Sequence, residues 1–550
     1  MSESSPDLRT NSREWGYIAA GVAVTIAALV LRLYQIGQDE LWFDEAFSFH
    51  MVTISKWPEA LLKDNTPPLY YVLLRAWIGC FGESESAIRS LSAISGAMFI
   101  AVIFWFANEI LERRAALFCV SFSALAPMQI YYSQEARVYA TLIFFIVLSY
   151  AALWRSLETE KLRWWTLFTV CVLLALYSHY FAILAVAPTV FLVGVWDDAE
   201  KSKRLWSQYF MSLGTALLLF LPWLLWSLPK ITGSLATIDW IRVWWAQDPL
   251  LVVPKSIEIF TLGSHAEFIS VINVKRFREL LFPDGLRLIG LTAAVILLLA
   301  AAMSRNDGGS RVPRVKISLW LWISLLFPLL TLWAISFYHP VYVVGRYDIL
   351  AFPAYALLLA TGWSHIRNFE KGGPLFAALL TLALFLPVGV KVVNYFSVPP
   401  DGYSRPTVRA LRQYVRNQDV LVLTRERAEM TIYYLTRVGY RWKDGMCSDA
   451  AGEHKFICLI FPPESLSGVS SGTDTRQLSR TVEEWSQKLV SHLHSTDGVL
   501  WLVVQGDIFS KDELETMGPL SSLVKLLESA GFHGSPIDIE YGIVAFQGRP

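Results

Sequence analysis

Two adjacent carboxylates, Asp44 and Glu45, lie in the run Leu41-Trp42-Phe43-Asp44-Glu45-Ala46. A carboxylate can act as general base on a hydroxyl despite the gap between their resting pKa values, because the proton moves as the new bond forms. Two such groups among aromatic residues at a membrane interface are costly unless solvated, paired or used. A solvated loop with Trp42 anchored among headgroups is the other reading, and these residues alone do not separate the two. Downstream comes Thr66-Pro67-Pro68-Leu69-Tyr70-Tyr71, whose Pro-Pro step breaks the backbone and can aim the next helix along the membrane surface. Then follows Ser133-Gln134-Glu135-Ala136-Arg137-Val138-Tyr139, with Glu135 and Arg137 near a predicted helix start. Each motif alone has a bland reading, a helix start or ordinary interfacial charge. Together they gather ionisable groups on one side of a membrane.

The elements that must position these groups are set by composition. The 550 residues are 54% hydrophobic and 17% charged, with mean hydropathy +0.41. A water-facing surface around one ordinary core cannot be built from that mixture, so the chain is read as a polytopic membrane protein. Net charge is zero and no basic run occurs, which removes the electrostatic footprint of a nucleic-acid binder. Spanning a bilayer takes about 20 helical residues. Charge-free runs near that length are Tyr17–Leu33, Ser90–Asn108, Ala115–Ala126 continuing toward Tyr132, Val138–Trp154, Trp164–Tyr177, Tyr180–Trp196, Trp206–Ser227, Leu288–Met303, Ile317–Ser336, Ile349–Ile366 and Leu375–Val392. Ser178-His179 divides a 33-residue stretch too long for one span. These make about eleven transmembrane helices. The first apolar stretch lacks a small-residue cleavage pattern and is read as a retained helix.

Lys/Arg asymmetry gives the orientation. With a cytoplasmic N-terminus, the inside segments hold 16 Lys/Arg in 64 residues and the outside segments 11 in 126. The acidic pair and Arg137 then face outward, and an odd number of spans places the C-terminal region outside as well. Residues 397–550 carry 35 charged residues, whereas residues 1–396 carry 59. The first stretch is thus expected to be a soluble domain and the second the transmembrane domain. Strand-length apolar runs at Val420–Leu423, Phe456–Phe461, Val499–Val504 and Ile537–Phe546 alternate with helical patterns at Thr407–Val415, Ala428–Thr436, Arg480–Leu493 and Leu514–Ala530, which predicts an α/β layer fold. Ser465–Thr475 reads as a surface loop. Five cysteines show no zinc or redox spacing. Cys447 and Cys458 fall in the C-terminal domain, where either a disulfide or buried free thiols fit.

The order of these motifs, with Asp64-Asn65 before Thr66, Phe81-Gly82 and Ile88-Arg89 between the second and third, and Gly345-Arg346-Tyr347 with Pro353 later, resembles the bacterial protein O-mannosyltransferase-like glycosyltransferases of family 39, in the GT-C superfamily. The resemblance is specific over about residues 30–150. It implies a GT-C-like membrane enzyme that transfers a sugar from a polyprenyl-phosphate carrier to an acceptor, with inversion, at an active site on the outer face. By this resemblance Asp44 is the general base and Glu45 its partner. The leaving phosphate needs cationic stabilisation, and Arg137 and Arg346 offer the bidentate donors that fit phosphate oxygens. Tyr70, Glu135 and Tyr139, in the same motifs, are expected in the substrate cleft.

One departure stands out, because many relatives carry His before the Pro-Pro step where this chain has Thr66. His179, or His265 with Glu267 in the long outer loop, can supply polar or metal contacts instead. Some GT-C enzymes use a divalent metal and others do not; His265 and Glu267 are its weak candidates here. Trp240, Trp244 and Trp245 in that loop suit a lipid anchor better than a sugar platform. The expected partners are a polyprenyl-phosphate sugar, the lipid bilayer of the inner (plasma) membrane, and an acceptor that is a protein, a lipid or a glycan. A transporter or lipid flippase is the competing reading. It would show broken helices and ionisable groups at the bilayer midplane, whereas here charge collects at outer helix ends.

Overall fold

A backbone removed from water must satisfy its own N–H and C=O groups, so long apolar runs become helices. The computed structural model describes residues 8–54, 57–64, 66–196, 202–234, 241, 245, 249–263, 284–304, 314–397, 404–443, 446–449, 455–461, 475–496, 498–503, 518–538 and 543–548. These form two units, Met1–Gly37 with Ser55–Pro399, and Gln38–Ile54 with Pro400–Pro550. The segment Gln38–Ile54, read from sequence as an outer loop of the transmembrane domain, thus folds with the C-terminal residues.

Among the described residues of the first unit, eight helices are long and apolar enough to cross a membrane. A ninth is the bent pair Arg113–Leu125 and Pro127–Ser133, broken by 56°. Pro127 causes the bend, because it brings no N–H to the ladder and disfavours helical geometry at Ala126. Leu162–Ser178 and Ala182–Val195 match the two runs divided at His179 but are shorter. The second is itself interrupted before Pro188 and resumes as Thr189–Val195. Leu69–Phe81 is a further short apolar helix, which follows the Pro-Pro step.

Glu85–Ile110, Tyr139–Thr159 and Tyr347–Arg367 are the most enclosed spans, while Trp15–Leu33 and Ser202–Lys230 leave most of their surface outward. Phe122, Phe260, Phe352 and Tyr355 interlock between helices with ring centroids 5.5–6.4 Å apart. Small residues let backbones approach where dispersion drives helix association. At Gly96 a Cβ would meet the Ser133 hydroxyl at 2.0 Å and the Arg32 Nε at 3.1 Å, so the helix Glu85–Ile110 closes on these groups only as glycine.

Among the described residues, the second unit contains a seven-stranded mixed sheet: β1 Val420–Thr424, β2 Tyr440–Lys443, β3 Met446–Asp449, β4 Lys455–Phe461, β5 Leu500–Val503, β6 Phe532–Asp538 and β7 Ile543–Gly548. Its order is β2-β3-β4-β1-β5-β7-β6. The central β1 runs parallel to β4 and β5, and the other pairs are antiparallel. Val420, Val422, Leu500, Leu502 and Phe546 pack against Leu489, Leu493, Leu523 and Leu527 from helices Thr475–Thr496 and Gly518–Ser529. The buried Asp419 carboxylate accepts from the backbone of Arg416 and Val499 and from the Trp501 indole, tying β1 to β5. The run Ile537–Phe546, read as one strand, is a hairpin of β6 and β7; the hairpin of β2 and β3 had no apolar run to announce it. The predicted loop Ser465–Thr475 falls outside the described residues except at Thr475, where a helix begins.

Candidate active site

Residues 134–138 follow the bent pair and lead into the span Tyr139–Thr159, so several elements hold this short connection. The buried Arg32 donates Nε to the Ser133 hydroxyl at 3.0 Å and Nη1 to the carbonyls of Ala28 and Ala124. Gln134 donates to the carbonyls of Arg32 and Tyr34, and its own Oε1 accepts from the Tyr395 hydroxyl at 2.9 Å. Arg137 donates its backbone N–H to the Glu135 carbonyl, and its carbonyl accepts from the Ser92 hydroxyl, which lies 3.1 Å from the hydroxyl of Tyr70. Glu135 is buried near Tyr132 and Tyr139. Four sequence candidates, Tyr70, Glu135, Arg137 and Tyr139, are therefore linked through one connection.

Arg346 arrives from the other end of the first unit on a turn shaped by Gly345, whose φ of +78° favours glycine. Asp348 buttresses this turn: its Oδ2 accepts from the Gly345 N–H at 2.9 Å and from the Ser256 hydroxyl, which also meets Tyr342 at 2.7 Å. The Tyr132 hydroxyl donates to the Gly345 carbonyl. Arg346 then donates Nε to the Tyr139 hydroxyl at 2.5 Å, with its guanidinium 5.6 Å from the Tyr139 ring and 5.8 Å from that of Tyr347. Arg, unlike Lys, can spend one N–H on such a hydroxyl and keep others for a second acceptor.

His179, at the break between two apolar helices, packs against the Tyr347 ring at 5.2 Å. Desolvation comes first and the nearby Arg346 and Arg137 cations second in pushing its imidazole down to about 3. It is therefore neutral at physiological pH. Its Nδ1 accepts the Phe181 N–H at 3.1 Å, which puts the imidazole proton on Nε2 and makes that nitrogen the donor. Sequence reasoning named His179 only as a substitute polar or metal contact; nothing local reveals its two arginine neighbours. The Tyr71 hydroxyl bonds Asp64 and Thr66, with Arg137 also nearby, so Thr66 takes part in this neighbourhood without an imidazole. Guanidinium groups near a neutral N–H donor and several hydroxyls can in principle stabilise an anion with several oxygens.

Asp44 and Glu45 belong to the second unit. Both lie in the first turn of the helix Phe43–Thr53, Asp44 half-buried and Glu45 buried. The Glu45 carboxylate accepts the Trp42 N–H at 3.3 Å and so caps its own helix start, while the Asp44 carbonyl accepts from Ser48. Among the described residues no three His, Cys, Asp or Glu side chains group as a metal site. His265, Glu267, Trp240 and Trp244 lie outside those residues.

The family model described as dolichyl-phosphate-mannose-protein mannosyltransferase matches residues 65–226. No curated protein matches the sequence. Among solved structures, ArnT from Cupriavidus metallidurans in the apo state superposes with a TM-score of 0.57 at 13% identity, covering 98% of this chain and 100% of that one. The same protein bound to undecaprenyl phosphate gives 0.55 at 14% identity, over 97% and 99% of the two chains. The archaeal oligosaccharyltransferase AglB from Archaeoglobus fulgidus, in complex with an inhibitory peptide and a dolichol-phosphate, gives 0.54 at 12% identity, over 98% and 74%. The resemblance is thereby borne out, the matched residues 65–226 including the motifs at 66–71 and 133–139 but not that at 41–46, and the chain is a multi-pass membrane protein of the GT-C fold, similar to the protein O-mannosyltransferase-like glycosyltransferases.

Proposed function

We propose that the chain moves a sugar from a polyprenyl-phosphate carrier to an acceptor, with inversion, at the outer face of the inner (plasma) membrane. The observation that carries this reading is the gathering of Arg137 and Arg346, 209 residues apart in sequence, around the neutral His179. A phosphate gains charge as the glycosidic bond breaks, and preorganised cations and N–H donors stabilise that change. Asp44 takes the proton of the acceptor hydroxyl while the hydroxyl oxygen forms the bond to the anomeric carbon. The carbon–oxygen bond to phosphate breaks, and the departing electron pair is met by the two arginines and His179 Nε2–H. Glu45 holds the helix turn that carries Asp44. Tyr70, Glu135 and Tyr139 line the cleft, Tyr139 by holding Arg346. Undecaprenyl phosphate in ArnT and dolichol-phosphate in AglB support this donor class.

The same reading takes the eight long spans, the bent pair, Leu162–Ser178 and Ala182–Val195 as eleven crossings. The N-terminus is then cytoplasmic, and residues 397–550 form a soluble extracytoplasmic α/β domain. Mass spectrometry of the purified protein with its co-purifying lipid tests the donor. A polyprenyl-phosphate sugar is expected with the wild type and a reduced yield with Arg137→Ala or Arg346→Ala. Undiminished lipid in both variants, with wild-type transfer kinetics, places the phosphate elsewhere.

A further inference from the structure

Residues 38–54 were expected to be a loop of the membrane unit, yet they group with the C-terminal residues and share hydrogen bonds and ring contacts with them. The Glu40 carboxylate accepts the backbone N–H groups of Ser404 and Arg405, each at 2.7 Å. These are the first residues of the helix Ser404–Tyr414, whose opening N–H groups have no partner within the helix. Glu40 therefore caps a helix 364 residues downstream, with the charge sign that the helix N-terminus favours. Burial pushes this carboxyl up from its ordinary value, and the Arg405 and Ser404 donors oppose that shift. Arg405 returns a hydrogen bond to the Gln38 carbonyl, and its guanidinium lies 5.5 Å from the Tyr434 ring.

The next residue is held as well. The Leu41 N–H donates to the Tyr434 hydroxyl at 3.0 Å. Leu41 is 1% exposed, so losing this acceptor leaves a buried N–H unsatisfied. Beyond Asp44, the Phe49 ring meets Tyr433 edge-on at 4.9 Å, and His50 Nδ1 lies 3.7 Å from the Glu429 carboxylate. Tyr433, Tyr434 and Glu429 all belong to the helix Arg425–Arg437. Asp44 thus sits between two sets of ties, Gln38, Glu40 and Leu41 before it and Phe49 and His50 after it.

We infer that residues 400–550 are the carrier of the proposed catalytic base, and that Glu40 and Tyr434 are positioning residues that act through Asp44. This rests on the proposed role of Asp44. Arg137 and Arg346, proposed above for the donor phosphate, are not among the residues that hold Asp44, so loss of these ties is expected to spare donor binding. A base displaced by about 1 Å can cost on the order of 100-fold in rate. Loss of one tie among several is expected to cost less.

The test is steady-state transfer with a polyprenyl-phosphate sugar, alongside direct donor binding, for Tyr434→Phe, Glu40→Ala, Glu40→Gln and Asp44→Asn in the full chain. Tyr434→Phe and Glu40→Ala are expected to lower kcat about tenfold, with donor affinity and donor KM within about twofold of wild type. Glu40→Gln keeps an acceptor oxygen and is expected to recover part of the loss. In an Asp44→Asn background Tyr434→Phe is expected to add no further loss, whereas a merely structural role adds its full effect. Protease resistance of residues 400–550 verifies folding; Tyr434→Phe removes a single oxygen and keeps the readout where Glu40→Ala does not fold. Wild-type kcat in folded Tyr434→Phe and Glu40→Ala, with Asp44→Asn inactive, overturns this inference and leaves the base assignment standing. Wild-type transfer by Asp44→Asn overturns the base assignment itself.

Discussion

Arg346 donates its Nε to the Tyr139 hydroxyl at 2.5 Å, a bond between residues 207 apart that fixes the plane of the guanidinium in the candidate phosphate site. Tyr139→Phe keeps the ring beneath the cation and removes only the acceptor. A hydrogen bond to a charged group is worth about 1.5 kcal/mol or more, so the Kd for a polyprenyl phosphate is expected to rise roughly tenfold. Tryptophan fluorescence titration in detergent or nanodiscs measures it. An unchanged Kd removes Tyr139 from the donor site.

Asp44→Asn is nearly isosteric and keeps the helix start, where Glu45 accepts the Trp42 N–H. Transfer is expected to fall at least about 100-fold, the lower range of general-base contributions, while donor binding and expression stay near wild type. Glu45→Gln, which keeps an acceptor oxygen for Trp42, is expected to lose far less. If the two variants are equally inactive, Glu45 shares the chemistry and does more than hold the turn.

The membrane unit was largely legible in the sequence because apolar length and helix length are coupled by the thickness of the bilayer. Each of the eleven apolar runs overlaps a helix, and the division at His179 falls between the end of one helix and the start of the next. Hydropathy does not register the break at Pro127, since the residues on both sides stay apolar. The sequence motifs nominated Arg137 and Arg346, but the supports of the Arg346 turn, Ser256, Asp348 and Tyr132, are scattered polar residues without local pattern. Glu40 is the clearest case: an N-cap normally precedes its helix by one residue, so a cap from 364 residues away leaves no signature to read.

His179 carries the pH prediction. Its folded value, lowered to about 3, lies below the ordinary 6.5. The unfolded chain therefore binds the extra proton first, and stability is full above about pH 6.5 and declines as pH falls toward 3. Between pH 7 and 8 His179 stays neutral, so donor affinity there is expected to be flat with respect to this residue. His179→Asn keeps a neutral donor and is expected to soften the acid loss of thermal stability below pH 6.5. An acid limb identical to wild type shows that the imidazole does not titrate as described.

Cys447 on β3 and Cys458 on β4 are buried free thiols, hydrogen-bonded to one another. Of the two arrangements the sequence allowed, the free pair is the one observed. The contact with Cys447, followed by burial, holds the Cys458 thiol well above its ordinary range, so it is a poor nucleophile while the unit is folded. Maleimide is expected to label neither residue in the folded protein and both after denaturation, without reductant. Labelling that needs reductant shows a bridge instead. Applied to intact cells, a membrane-impermeant maleimide with denaturant also reads topology, and labelling that requires inner-membrane rupture reverses the orientation proposed above.

The Glu40 cap has a consequence for biosynthesis. Leu41 emerges from the ribosome 393 residues before Tyr434, the hydroxyl that its N–H requires. At about 5–20 residues per second this interval lasts roughly 20–80 s. Throughout it the segment with Asp44 and Glu45 has neither Tyr434 nor the helix Ser404–Tyr414 to fold against, while the membrane helices are already being inserted. An acidic pair translated near the start of the chain is thus among the last elements to acquire its final neighbours, and a chain that stops before residue 400 displays that pair on a segment stripped of its partners.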